Sequence, residues 1–169
     1  MDHRSRSWIG RRLRSLALLE LLNIPLQAVI WFAVVDLPVT VPNAVGFALF
    51  AFLLLQGASY WAAKLRRFGA PGGALPGVGA FRIGRVANVA VLLAGLAYAV
   101  RSVVADPGAG SIPGLVFALV AVLEYVNYFH VQLMYDNADD LRYLFTRGLR
   151  RAHLARDLRT RGRSRRARV

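Results

Sequence analysis

Four long apolar runs, at 16–37, 43–63, 83–105 and 112–136, are kept apart from the cations of the chain. Of the 22 Lys and Arg residues, five precede Ser15, five lie between Lys64 and Arg85, and eleven follow Asp136. Arg85 stands at the start of the third run, and Arg101 is the one cation left outside the three basic blocks. A helix of about 20 residues, rising ~1.5 Å per residue, covers the ~30 Å hydrocarbon core of a bilayer. A chain in lipid must satisfy its own backbone polar groups, which restricts such runs to helices. This segregation predicts an all-α fold: a polytopic membrane protein built as a four-helix transmembrane bundle. Its 169 residues, 56% of them hydrophobic, suit one domain.

The two connections at the far ends of the runs carry almost no Lys or Arg. Both termini and the middle connection are basic. The positive-inside rule then places both termini and the middle connection in the cytoplasm. Three or five spans would put a basic block outside. The run 16–37 exceeds a signal-peptide core and lacks a small-x-small cleavage site, so it reads as a retained first span. Arginine outnumbers lysine 21 to 1 amid abundant Ala, Gly and Val, which suggests a GC-rich bacterial genome and hence a bacterial inner membrane.

Pro25 removes a backbone donor and is expected to kink span one. Asp36, Pro38 and Pro42 mark a turn. Tyr60 and Trp61 form an interfacial pair at the end of span two, where Lys64, Arg66 and Arg67 stop it. Residues 68–81 read as a Gly/Pro-rich linker; Gly77 and Gly79 lack the strand and the Gly-Lys-Ser/Thr ending of a phosphate loop. Span three carries Ala87, Ala90, Ala94 and Ala97 at helical spacing, a small-residue face expected to meet another helix. Asp106, Pro107, Gly108, Gly110 and Pro113 form the second turn.

After span four the chain predicts a cytoplasmic amphipathic C-terminal helix over 137–160. Asp136 or Asn137 caps it, with Asp139 and Asp140 in its first turn. Leu141, Leu144, Phe145, Leu149, Ala152 and Ala155 give an apolar side. Flanking arginines, Arg142, Arg147, Arg150 and Arg151 among them, are expected to contact an anionic inner leaflet, with Arg156 and Arg159 beyond. Residues 161–169 read as disordered. Nucleic acid is the rival partner for such a tail, but no stacking platform or binding fold accompanies it.

Polar side chains inside the runs carry the functional reading. Glu20, Asn23, Gln27 and Trp31 share one face of span one, and Glu124, Asn127, Tyr128, Val131 and Tyr135 share one face of span four, with Gln132 at its edge. Val122, Val126, Phe129 and Leu133 are expected to face lipid. Gln56, Ser59 and Tyr60 of span two and Asn88 of span three lie at similar depth. Counting depth from the span ends pairs Gln132 with Glu20 and Asn127 with Gln27. These groups predict a polar pocket in the cytoplasmic half, closed on the outside by apolar side chains. An intramembrane carboxyl costs ~2.5–3.5 kcal/mol to insert, so it marks function by default. A hydrogen-bond network holding the helices together is the plainer reading. Arg101 is expected to snorkel outward and pair with Asp106 or Asp36.

The chain has no cysteine, which removes disulfides, thiolate metal sites and thiol nucleophiles. No catalytic motif for metallohydrolysis, acyl transfer or nucleotide binding is present. No cofactor is expected. A haem held by two histidines needs a second one within a span, and His3 and His153 lie outside. No metal site is expected either, because Glu124 and His130 stand ~120° apart on a helix. His130 reads as structural or pH-sensing.

A glutamate in the first of four spans resembles the small multidrug-resistance transporters, whose essential glutamate binds a proton and a cation in alternation. The likeness covers Glu20 alone; the longer chain, the basic tail and the polar mass of span four depart from it. Three functions remain open: a non-enzymatic membrane module, as a homo-oligomer or an accessory subunit of a larger complex; a small proton- or cation-coupled transporter or channel using Glu124 and Glu20; and an interfacial enzyme on a lipid or quinone headgroup.

Overall fold

The computed structural model describes residues 3–69, 75–133, 142, 146 and 148–158. Four helices dominate: α1 at His3–Ala28, α2 at Val41–Gly69, α3 at Val78–Ala105 and α4 at Ile112–Phe129. A π-helical turn, Val29–Val34, extends α1. All four are long and apolar enough to cross a membrane. Among the described residues there is no strand, only an isolated antiparallel bridge between Val131 and Arg151. We call the end holding the α2–α3 connection and residues 148–158 the basic end, and the opposite end the turn end.

Helix α2 is the axis of the bundle. It packs against α1, α3 and α4, and α3 also packs against α4. Its buried residues include Leu49, Phe50, Leu53, Leu54, Ala58 and Tyr60, which point in several directions because partners surround it. Toward the turn end, Phe117 of α4 meets four rings at 5.3–6.3 Å: Trp31 and Phe32 of the π-turn, and Phe47 and Phe50 of α2. Such pairs contribute about 0.5–1.5 kcal/mol each beyond their buried area.

Asn43, fully buried, ties the two connections of the turn end together. Its amide donates to the carbonyls of Pro38 and Ala109, each at 2.9 Å, and its Oδ1 accepts the Gly114 N–H at 2.8 Å. The Thr40 hydroxyl donates to the Gly110 carbonyl beside it.

The proline of α1 acts one turn later than it stands. Pro25 cannot donate to the Leu21 carbonyl, and from Val29 the ladder widens to π register, ending with Val35 N–H on the Ile30 carbonyl at 2.8 Å. Asp36 leaves in the left-handed conformation (φ 56°), which Asp tolerates better than most residues. Substitution by glycine here is expected to be neutral or stabilising, and by valine destabilising by about 1–2 kcal/mol, in thermal melts of the purified protein.

Five expectations need correction. Span four ends at Phe129, not 136. The Asn127 side-chain carbonyl takes the Leu133 N–H at 2.8 Å, which competes with helix continuation. The chain then pairs with the tail through Gln132 N–H to Arg150 O (2.8 Å) and Ala152 N–H to His130 O (3.1 Å). The helix expected over 137–160 is not continuous. Residues 148–152 are non-helical, with Gly148 at φ 74°, and helix returns only at 153–158. Leu154 and Leu158 of that turn enter the core of the bundle, while Leu149 is exposed. Among the described residues the alanine face of α3 meets no helix: Ala87, Ala90, Ala94 and Ala97 are exposed. Burial of Asn88 sets the rotation of α3 and turns the alanines outward. Phe129 is 1% exposed rather than lipid-facing, with Val122 and Val126 half-buried beside the core. The open edge of α4 is Ile112, Val116, Leu119 and Leu123, because partners on two sides leave it one narrow free stripe. Arg101 is exposed and joins no ion pair among the described residues.

Candidate functional site

Glu20 of α1 and Glu124 of α4 come close enough to interact electrostatically, and the buried Tyr128 hydroxyl interacts with both. That hydroxyl makes no hydrogen bond of full geometry among the described residues. It rests against α2 where Gly57 has no side chain: a Cβ there would stand 2.5 Å from the Tyr128 hydroxyl oxygen and 3.1 Å from Glu20 Oε1. Trp61, one turn on, also interacts with Glu20. Asn127 donates to Glu124 Oε2 at 3.4 Å while its carbonyl is held by Leu133 N–H. Three helices thus bring two carboxyls, one phenol and one indole to a single point.

The depth match differs from the expected one. Glu20 lies level with Glu124 and Tyr128 instead of Gln132. Because α4 stops at Phe129, Glu124 sits nearer the basic end than a run to 136 implies. Gln132 is half-buried beyond the helix, and its backbone N–H is bonded to Arg150. Tyr135 lies outside the described residues.

The other polar residues form separate groups. Asn23, Gln27 and Trp31 bond in series along α1: Gln27 Nε2 donates to Asn23 Oδ1 at 3.2 Å, and Trp31 Nε1 to Gln27 Oε1 at 2.8 Å. Gln56 and Asn88 form a reciprocal amide pair between α2 and α3, at 3.0 and 2.8 Å. Replacing Gln56 by leucine strands a buried amide, which costs about 1–3 kcal/mol. The double change with Asn88→Leu is expected to recover part of that loss. A double-mutant cycle on unfolding should give a coupling of about 0.6–1.7 kcal/mol. His130 is exposed, its Nε2 3.4 Å from the Tyr125 hydroxyl, which itself donates to the Arg85 carbonyl at 2.9 Å.

A second cluster lies at the basic end, and the sequence reading missed it. The Tyr60 hydroxyl donates to Asp157 Oδ2 at 2.8 Å. Lys64 Nζ stands 3.6 Å from that oxygen and donates to Tyr60 at 3.0 Å, and Arg67 is 3.7 Å from Asp157 Oδ1. Arg156 donates to His153 Nδ1 at 2.7 Å, with Lys64 at 3.4 Å from the same nitrogen. Burial first, then the charges of Lys64, Arg156 and Arg150, hold His153 down at about 4. The available signal was Asp157, the one acid among the cations that follow Asp140. Of the arginines expected on lipid, Arg142 and Arg151 are exposed and Arg150 is half-buried in the tail pairing, while Arg147 lies outside the described residues. No group of three or more potential metal ligands occurs among the described residues.

No family model, curated protein or solved structure matches the chain.

Proposed function

We propose that this chain is a small non-enzymatic membrane protein whose Glu20–Glu124 pair takes up a proton or a cation from the cytoplasmic side. One observation carries the reading: carboxyls from two different helices converge on one buried hydroxyl, Tyr128. Packing alone does not require two acids at one point, and carboxyls inside a bilayer mark ion and proton paths.

The membrane setting is supported by the surface. Leu19, Leu22, Ile83, Val86, Leu93 and Val104 are 59–79% exposed, more apolar area than a soluble monomer tolerates. The charge distribution supports cytoplasmic termini in a bacterial inner membrane. A groove on α1 lined by Trp8, Arg11, Arg12, Ser15, Leu16 and Leu19 suits an anionic headgroup at the cytoplasmic face, as do the tail arginines.

Proton or cation flux into proteoliposomes tests the proposal. Glu124→Gln should lower flux at least about 10-fold while thermal stability stays near that of the parent. Unchanged flux rejects the role of Glu124. A second reading, an accessory subunit or homo-oligomer, is favoured by the exposed alanine stripe of α3. Ala90→Leu with Ala94→Leu should then abolish self-association or co-purification in mild detergent.

A further inference from the structure

The segment 150–158 folds back across the basic end of the bundle, and the His153 imidazole stands there among cations. We propose that this segment is an acid-released latch over the Glu20–Glu124 pair, with His153 as its trigger. The proposal deepens the proton- or cation-site reading above and rests on it for the identity of what is covered.

Three kinds of contact close the latch. Ala152, Leu154 and Leu158 are 1%, 3% and 8% exposed. The backbone pairs with the exit of α4 through Gln132 and Ala152, and Arg82 of α3 donates to the Leu158 carbonyl at 3.1 Å. Asp157 accepts from Tyr60 and faces Lys64 and Arg67 of α2. Trp61 is the wall shared with the acid pair. Its ring stands edge-on to His153 at 5.9 Å between centroids, and it also interacts with Glu20. The docked segment therefore covers the approach from the basic end to Glu20.

His153 Nδ1 must be unprotonated, since it accepts from Arg156 at 2.7 Å with Lys64 at 3.4 Å. The charged groups facing the ring are Lys64 from α2 and Arg150, Arg156 and Asp157 from its own segment, with Arg67 behind Asp157 and Arg82 of α3 at the segment's end. A proton on Nδ1 removes the acceptor and sets a further cation against Lys64, Arg156 and Arg150. The docked imidazole titrates at about 4 and a free one at 6.5, so the released state binds more protons between those values. Docking is complete above 6.5 and weakens as pH falls toward 4. From pH 7 to pH 5 the docking equilibrium drops by at most about 20-fold, less where solvent screens the ring.

The chain has no cysteine, so single thiols report cleanly. The full chain in lipid nanodiscs with Ala152→Cys carries a thiol that docking buries. Its maleimide labelling rate, divided by that of Arg142→Cys at the same pH, should rise several-fold from pH 7 to pH 5. Adding His153→Asn, which cannot take up the proton, should make the ratio independent of pH. His153→Lys should label fast at pH 7. A flat ratio in the parent, or an equal rise with His153→Asn, overturns the trigger. Modification of Glu20 by a water-soluble carbodiimide, read by mass spectrometry at pH 7, should be faster in His153→Lys than in the parent. Equal modification overturns the cover. Flux unaffected by Glu124→Gln rejects the function proposed for the pair, and the thiol and carbodiimide readings stand independently of it.

Discussion

Gly46→Leu is expected to be the most damaging single substitution in the bundle, costing about 3 kcal/mol or more, with Gly46→Ala already costing about 1–3 kcal/mol. At this position α2 and α4 touch backbone to backbone. A Cβ on Gly46 would stand 2.7 Å from both Cα and C of Gly114, and closer still to its carbonyl oxygen. Nothing there can rotate away, so the helices themselves must part. Gly114 is in the same position from the other side: its Cβ would lie 2.6 Å from the Pro42 carbonyl carbon and 2.9 Å from Asn43 N. Parting the helices also breaks the Asn43 bonds to Gly114 and Ala109, leaving buried polar groups unmatched. Gly114→Ala should resemble Gly46→Ala, and the double mutant should show no rescue. Gly10→Ala is the control: no atom lies within 4 Å of its Cβ, so a gain of about 0.5–1 kcal/mol from helix propensity is expected. Unfolding midpoints in mixed detergent–SDS micelles would rank these variants.

The four-helix plan was legible because charge placement and apolar length leave such a chain few options. What escaped was rotation and termination. Helical spacing alone showed Ala87, Ala90, Ala94 and Ala97 as a packing face, but Asn88, one residue along, had a partner in Gln56 and took the interface with it. Sequence spacing does not reveal which of two adjacent faces wins when one contains an amide that must be matched. The end of α4 was hidden for a similar reason. Residues 130–136 continue an apolar-looking run, while among the described residues the Asn127 side chain and the returning tail, 18 or more residues later, take the backbone groups beyond Phe129. A contact that distant leaves no periodic trace. The Glu20 and Glu124 faces were readable from 3.6-residue geometry, and their depth was off by the length of the overestimated span. The basic-end cluster was invisible because its parts, Tyr60, Lys64, His153 and Asp157, come from a helix end and from a tail read as lying on the membrane surface.

Gly57→Ala should disable the acid pair at smaller cost to the fold, and the remedy for its steric effect is specific. The added Cβ meets the Tyr128 hydroxyl oxygen at 2.5 Å, its ring Cζ at 2.6 Å and Glu20 Oε1 at 3.1 Å, all side-chain atoms that can move. The phenol is expected to tilt off α2 and carry the meeting point of Glu20 and Glu124 with it, at a cost of about 1–2 kcal/mol. Flux should fall at least about 10-fold, since a shift of ~1 Å at a reacting group has effects of that size or larger. Tyr128→Leu removes both atoms that collide, the hydroxyl oxygen and Cζ. In the double mutant Gly57→Ala/Tyr128→Leu stability should return to within about 0.5 kcal/mol of Tyr128→Leu alone, giving a favourable coupling near the size of the original loss. Flux should not return, because the hydroxyl shared by the two carboxyls is gone. Stability and flux recovering together would mean that Tyr128 only fills space and that the acids work without it. Neither recovering would mean that Gly57 is needed for the α1–α2 contact itself, with the 3.1 Å approach of Glu20 as the limiting one. The two measurements on one double mutant thus separate what Tyr128 does for packing from what it does for the carboxyls.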